Sequence, residues 1–269
     1  MTTAPERDIE AAAAALFAAE SRRRQIGLLS RTYPAMTMDD AYAVQAALVR
    51  RKLADGRRII GWKIGLTSRA MQDALKIDTP DSGVLFDDMQ FADGATIAAG
   101  RFIQPRIEAE IAFLMGGALD GPGVTAADVL AATAAVAPSL EILDTRILRT
   151  DPETGASRTI VDTIADNAAN AAIVLGGRPM RPDAVDWRWA GALLYKNGVI
   201  EESGLGAAVL NHPGNGVAWL ANKLAAHGES LAAGEIVLAG SFTRPVACAA
   251  GDTFHADYGP LGSISVRFA

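Results

Sequence analysis

Residues 106–114 read Arg-Ile-Glu-Ala-Glu-Ile-Ala-Phe-Leu. The apolar residues and the length of this run predict a β-strand, in which side chains alternate between the two faces of a sheet. Glu108 and Glu110 then point the same way, about 6 to 7 Å apart along the strand. Buried carboxylates lose hydration and repel each other, so their charge has to be offset. The pattern predicts a divalent cation; the alternative is an edge strand with a solvated glutamate face.

A second apolar stretch, Val136–Asp144, predicts another buried strand and carries a glutamate within it, Glu141. This residue is the natural third ligand for a cation held by the first strand. Three carboxylates make an all-oxygen site, which suits Mg²⁺ or Mn²⁺ rather than zinc. The histidines are widely separated along the chain, which argues against a histidine-based metal centre; they are His212, His227 and His255.

Two ionisable residues upstream are candidates for acid–base chemistry. The stretch Ile59–Leu66 predicts a strand that carries Lys63 in apolar company. Lys63 either extends its ammonium to solvent or faces a polar cavity. The stretch Thr79–Gly83 predicts a turn from its Pro, Asp and Gly. Asp81 either stabilises that turn through a local hydrogen bond or serves as a general base close to the lysine.

Two further polar segments are candidates for lining a pocket. The small residues of Asp162–Asn170 predict a helical or turn segment at its wall. Near the C-terminus, Ser241, Thr243 and Arg244 place two hydroxyls and a guanidinium at the end of a strand. Such groups bind a substrate carboxylate, although a surface turn has the same composition.

Composition narrows the class of protein. Half of the 269 residues are hydrophobic, which is enough for a sizeable core. The net charge of −6, without a basic run interleaved with aromatic residues, argues against a nucleic-acid partner. No apolar run approaches the roughly 18 to 20 residues of a membrane span. One cysteine, Cys248, cannot form an internal disulfide and predicts a cytoplasmic protein.

The order of elements predicts an α+β fold. An alanine-rich helix from Glu6 to Arg24 and a second helix after Thr37 form a small N-terminal lobe, residues 1–58. Residues 59–269 then form the catalytic domain, built from short strands broken by glycines. In this domain Val185–Glu202 predicts a hairpin, because Asn197-Gly198 favours a type I′ turn.

Several stretches together resemble the hydratase and decarboxylase branch of the fumarylacetoacetate hydrolase superfamily. The resemblance runs from about Tyr33 to the C-terminus. Two of the stretches, 191–202 and 209–220, are similar to the members of that branch that act on a seven-carbon diacid. The others are 61–68 (GWKIGLTS), 80–83 (PDSG), 106–110 (RIEAE), 140–144 (LEILD), 162–167 (DTIADN) and 240–245 (GSFTRP).

The resemblance implies a fold, a site and a reaction. The fold is a fumarylacetoacetase-like mixed β-rich core with flanking helices. The three glutamates hold Mg²⁺, or Mn²⁺, and the family's lysine and aspartate fall on Lys63 and Asp81. Trp62 departs from the family pattern, in which a more polar residue precedes the lysine.

The implied reaction is hydration of a 2-oxo-enoate, a small molecule, by a homo-oligomeric hydro-lyase. The expected substrate is 2-oxohept-4-ene-1,7-dioate of homoprotocatechuate meta-cleavage, and the product is 4-hydroxy-2-oxoheptanedioate. The alternatives are hydration of 2-oxopent-4-enoate and decarboxylation of 4-oxalocrotonate. A further reading is a non-catalytic subunit, since hydratases and decarboxylases of such pathways associate.

Overall fold

The computed structural model describes residues 4–69, 72–73 and 77–269, so the first three residues of the predicted lobe lie outside it. The helices are α1 (Glu6–Arg22), α2 (Leu29–Thr32), α3 (Met38–Ala54), α4 (Ala126–Ala132), α5 (Ile160–Ala165) and α6 (Pro213–Ala225). The strands are β1 (Ile59–Gly65), β2 (Asp81–Phe86), β3 (Gln90–Ala92), β4 (Ala95–Ile97), β5 (Arg106–Met115), β6 (Thr133–Leu143), β7 (Asn170–Leu175), β8 (Gly191–Lys196), β9 (Val199–Leu205), β10 (Ile236–Leu238), β11 (Val246–Ala247), β12 (Thr253–Asp257) and β13 (Ser263–Phe268). None of the helices within these described ranges has the length and apolar character needed to cross a membrane.

The glutamate-bearing strand β5 lies inside an eight-stranded sheet of order β2-β1-β10-β5-β6-β7-β3, with β11 also paired to β5. It pairs antiparallel with β6 on one side and with β10 and β11 on the other. The alternative of an edge strand is therefore wrong. The β5–β6 register sets Glu108 directly opposite Glu141.

Both β10 and β11 pair with β5, and the chain between them leaves this pairing next to Glu108 and Glu110. The strand β10 ends at Leu238. Gly240 takes a φ of +121°, a conformation that few residues other than glycine adopt. A side chain there would also collide with Thr67, whose Oγ1 lies 2.4 Å from an ideal Cβ position. The interruption opens the sheet at the level of Glu108 and Glu110.

The second sheet has five strands in the order β4-β13-β12-β8-β9. The predicted hairpin is confirmed, because Asn197 and Gly198 both take positive φ between β8 and β9. Its predicted start at Val185 is wrong, since Trp187–Trp189 form a 3₁₀ turn. The carboxylate of Asp186 accepts a hydrogen bond from the backbone N–H of Arg188 and stabilises that turn.

The N-terminal helices form their own apolar cluster. Thr37 and Asp40 make the expected capping box at the start of α3, and Ala41, Val44 and Leu48 are buried. The cluster includes residues from much later in the chain, among them Ile147 and Ile164. The lobe therefore packs on the segment around α5, and its division from the rest at residue 59 stays a prediction.

The bounds of two further helices have local causes. The helix α4 follows Thr125 and ends at Ala132, because β6 begins at Thr133. The helix α6 begins at Pro213, where His212 Nδ1 accepts a hydrogen bond from the Gly214 N–H.

Candidate active site

One cavity of about 410 Å³ collects every site residue that the sequence predicted. Its walls come from β1, β2, β5, β6, the segment after α5 and the loop between β10 and β11. The predicted residues among its lining are Lys63, Asp81, Glu108, Glu110, Glu141, Ser241, Thr243 and Arg244. The segment predicted at Asp162–Asn170 contributes Thr163, Ala168 and Ala169.

The three glutamates converge at one side of this cavity. One carboxylate oxygen from each of Glu108, Glu110 and Glu141 lies within 4.8 Å of the others. Glu110 and Glu141 are buried, and Glu108 is half-buried. Glu141 Oε1 has no aligned hydrogen-bond donor among the described residues. An all-oxygen donor set with an unsatisfied buried oxygen fits a hard divalent cation.

The charges of these carboxylates oppose one another. Burial, followed by the neighbouring charge of Glu141, raises the pKa of Glu108 to about 8. Burial and the same charge hold the pKa of Glu110 well above its usual range, and burial raises the pKa of Glu141 as well. Three ionised carboxylates at this spacing require a cation to offset their repulsion.

Lys63 supplies one positive charge from the adjacent part of the sheet. Its Nζ lies 3.3 Å from Glu141 Oε1, a contact that is an ion pair rather than an aligned hydrogen bond. Burial opposes the charged form of the amine, but the carboxylates of Glu141 and Asp81 outweigh it and raise the pKa of Lys63 to about 12. The side chain is 3% exposed, so the alternative of a solvated ammonium is wrong.

Asp81 is the first residue of β2, and its predicted place in a turn is wrong. The reason is long-range pairing: Asp81 lies opposite Gly65 in the antiparallel β1–β2 ladder. Its carboxyl is buried, Oδ1 has no hydrogen-bond partner within the described chain, and burial raises the pKa of this carboxyl. An ideal Cβ on Gly65 would lie 2.3 Å from Asp81 Oδ1 and 3.2 Å from Lys63 Nζ. The two side chains therefore converge in the space that this glycine leaves open.

The loop between β10 and β11 lines the cavity next to β5. Ser241 Oγ donates to the carbonyl of Thr243 at 2.8 Å, and Thr243 Oγ1 accepts from the Ala109 N–H at 3.0 Å. Arg244 pairs with Glu202 at 2.8 Å, and its side chain is 81% exposed. The hydroxyls thus anchor the loop to β5, while the guanidinium lies at the entrance.

Arg158 is among the lining residues that the sequence did not predict. Arg158 is half-buried and lines the cavity just before α5. It stands among polar residues of a long connection, so neither periodicity nor a spaced motif marked it.

Trp62, which departs from the family pattern, does not line this cavity, and its indole Nε1 donates to Glu235 at 3.3 Å.

Comparison with known proteins assigns the family. The chain is 58% identical over 250 residues to 2-oxo-hept-4-ene-1,7-dioate hydratase of Escherichia coli, across 93% of this chain and 94% of that protein. The chain belongs to the hydratase and decarboxylase branch of the fumarylacetoacetate hydrolase superfamily. No family model matches the sequence.

Solved structures agree with membership of this branch. The 4-oxalocrotonate decarboxylase from Pseudomonas putida G7, complexed with magnesium and adipate, has a TM-score of 0.94 and 38% identity over the full length of both chains. A Yersinia pestis CO92 protein assigned to the fumarylacetoacetate hydrolase family has a TM-score of 0.55 at 14% identity, covering 77% of this chain and 92% of that chain, and this likeness shows the fold alone. The predicted α+β fold of the superfamily and the predicted hydro-lyase class are confirmed.

The raised pKa values of Glu108, Glu110 and Glu141 predict a pH-dependent response to metal. A carboxyl whose folded pKa is raised keeps a proton that the unfolded chain has released. The metal-free protein therefore loses stability as pH rises from 4.5, the ordinary value, through about 8. Above pH 8 a divalent cation binds without displacing that proton. We expect Mg²⁺ to raise the Tm more at pH 8.5 than at pH 6, measured by thermal unfolding with Mg²⁺ and with EDTA.

The matched control for this measurement is Glu108→Gln. Because glutamine carries no proton to displace, this variant should lose the part of the pH dependence that Glu108 contributes, while Glu110 and Glu141 keep the rest. An equal rise in Tm at both pH values for the unmodified protein would contradict the prediction.

Proposed function

We propose that this protein hydrates 2-oxohept-4-ene-1,7-dioate to 4-hydroxy-2-oxoheptanedioate, with Mg²⁺ or Mn²⁺ held by Glu108, Glu110 and Glu141. The observation that carries the proposal is the single cavity in which these carboxylates lie beside Lys63 and Asp81. The 58% identity to a hydratase of that substrate supports the choice of substrate.

The substrate suits the polar wall of the cavity. A 2-oxo acid presents its carboxylate and its ketone oxygen side by side, as two oxygen donors. A divalent ion bound by the three glutamates would act as a Lewis acid toward the ketone and make the neighbouring C–H bonds more acidic. The residues of the chain then have to orient the carbon skeleton, move protons and admit one water molecule.

The proton balance defines what those residues must do. A proton leaves C3 and a proton reaches C5, so the double bond moves from C4–C5 to C3–C4, into conjugation with the ketone. Water then adds its oxygen to C4 and loses a proton, and C3 regains a proton. The net change is the addition of one water molecule.

Lys63 and Asp81 are the side chains proposed to handle these transfers. Asp81 offers an oxygen without a hydrogen-bond partner among the described residues, and its raised pKa makes it a stronger base than an exposed carboxylate. Lys63 stays cationic among the carboxylates, so it offers a positive charge and a hydrogen-bond donor to negative charge that develops on the substrate. Ser241, Thr243 and Arg244 are proposed to contact the substrate from the loop between β10 and β11.

The second candidate reaction is decarboxylation of 4-oxalocrotonate. Its support is the near-complete likeness in fold to the Pseudomonas putida G7 decarboxylase. Both reactions start from a 2-oxo-enedioate and use the same polar groups to stabilise negative charge next to the ketone. They differ in whether the product gains water or loses CO₂, which a product analysis separates.

Stopped-flow absorbance tests the proposal. Freshly generated 2-hydroxyhepta-2,4-diene-1,7-dioate should lose its ultraviolet chromophore when mixed with the protein and Mg²⁺, and should persist with EDTA. Mass analysis of the product should show the gain of one water molecule. Release of CO₂ from 4-oxalocrotonate without hydration of the dienoate would favour the decarboxylase. Inactivity on these substrates and on 2-hydroxypenta-2,4-dienoate would contradict both readings.

We further propose a homo-oligomer that acts in the cytoplasm in homoprotocatechuate meta-cleavage and associates with a pathway decarboxylase. An apolar surface supports the oligomer: Trp189, Val199, Ile200 and Leu205 are exposed on or next to β9, which is an edge strand. Light scattering coupled to gel filtration tests it, and a monomer at assay concentration would contradict it. Mixing with the decarboxylase in the same experiment tests the heteromeric complex.

A further inference from the structure

The cavity contains a guanidinium that makes no ion pair with a carboxylate of the described residues. Arg158 lines the same cavity as the three glutamates. Its Nη1 donates to Thr145 Oγ1 at 2.7 Å, and within the described chain neither Nε nor Nη2 has a hydrogen-bond acceptor. Burial opposes its charged form and lowers its pKa, so the cation is incompletely compensated where it lies.

The neighbouring polar cluster does not explain this arginine. The charges of Asp166, Asp162 and Asp81 favour the charged form of Arg158, but none of the three makes an ion pair with it within the described chain. Asp166 is already bound by Arg146. Arg146 Nε donates to Asp166 Oδ1 at 2.5 Å, and its backbone N–H donates to Oδ2 of the same carboxylate. The cluster is thus satisfied without the Arg158 guanidinium.

The other cations of the cavity have partners. Lys63 lies against Glu141, inside the catalytic group. Arg244 is paired with Glu202 and is largely in solvent, where a further ionic contact contributes little. Arg158 differs because it is half-buried and held at Nη1 by Thr145, while its Nε and Nη2 have no acceptor among the described residues. A guanidinium in this state is suited to bidentate binding of a carboxylate.

We propose that Arg158 binds the carboxylate at the far end of the substrate and so selects dicarboxylates over monocarboxylates. The inference rests on the proposed function, in which the first carboxylate and the ketone face the glutamate cluster. A seven-carbon diacid then places a second carboxylate in the remaining part of the cavity. Leaving that charge without a cation would carry a desolvation cost, and Arg158 removes it.

The test compares two inert ligands that differ in one group. The compounds are 2-oxoheptanedioate and 2-oxoheptanoate, which lack the carbon–carbon double bond and differ only in the distal carboxylate. Their Kd values are measured by calorimetry on the Mg²⁺-loaded protein. The unmodified protein should bind the diacid about 100-fold more tightly. Arg158→Met should bring the two Kd values to within about threefold of each other, by weakening only the diacid.

Two further variants make the result specific to this side chain. Arg158→Lys keeps a charge but loses the fork, so it should retain part of the preference, and it replaces Arg158→Met if that variant does not fold. Arg149→Met is the matched control, because Arg149 is a half-buried arginine of the same connection that does not line the cavity. It should keep the full preference.

The outcomes separate this inference from the proposed function. No preference in the unmodified protein, a preference that survives in Arg158→Met, or equal weakening of both ligands would each overturn the role of Arg158. Hydration of the dienoate is measured independently. Its failure would overturn the proposed function, whatever the Kd ratio.

Discussion

Glu108→Ala lowers kcat by about 1,000-fold or more and raises the stability of the metal-free protein; this is the result we expect. Lewis-acid stabilisation of developing charge contributes several kcal/mol, and each 1.36 kcal/mol is a factor of ten in rate. Glu108 lies opposite Glu141 in the β5–β6 register, so its loss removes one of three converging oxygens. Above pH 8, where Glu108 is ionised, its loss also removes a repulsion from Glu141, and the Tm in EDTA at pH 8.5 should therefore rise.

The measurements are steady-state turnover and thermal unfolding, each with Mg²⁺ and with EDTA. Glu229→Ala serves as the control, because Glu229 is an exposed glutamate outside the cavity. It should change neither quantity. Metal-dependent turnover at the full rate in Glu108→Ala would show that the glutamate cluster is not the metal site.

The part of this site that could be predicted from sequence is the part that one strand determines. The two-residue period of a strand places Glu108 and Glu110 on one face without any knowledge of neighbouring strands. The pairing of Glu108 with Glu141 depends on register between segments about thirty residues apart, which no local pattern specifies. The sequence could therefore nominate the third glutamate but could not place it.

Asp81 shows the limit of local turn chemistry. Pro80 and Gly83 favour a turn, yet the ladder to β1 extends through Asp81 and fixes it as the start of a strand. Tertiary pairing overrode the local preference and moved the carboxyl from a surface position into the cavity. Arg158 was missed for a related reason. The cavity wall that it lines is assembled from elements distant in sequence, and the residues next to it in the chain form no motif that indicates a cavity.

Lys63→Met separates turnover from metal binding. Methionine fills most of the space of the lysine stem and removes the ammonium, so the buried strand keeps its packing. General acid–base catalysis by a positioned group contributes about 10²- to 10⁴-fold, and we expect kcat to fall within that range. The substitution also removes a positive charge that lies 3.3 Å from a carboxylate of the cluster. The affinity for Mg²⁺ should therefore rise at alkaline pH, where the glutamates are ionised.

In Lys63→Met we therefore expect kcat to fall while the affinity for Mg²⁺ rises. Loss of a glutamate, in contrast, should weaken metal binding and turnover together. Lys196→Met is the control, because Lys196 also pairs with a carboxylate, that of Asp252 at 3.0 Å, but on the five-stranded sheet away from the cavity. It should alter neither kcat nor the Kd of Mg²⁺. If Lys63→Met kept full kcat, the convergence of Lys63 and Asp81 over Gly65 would have only a structural role. If kcat and Mg²⁺ affinity fell together, Lys63 would act by shaping the metal site rather than by moving protons.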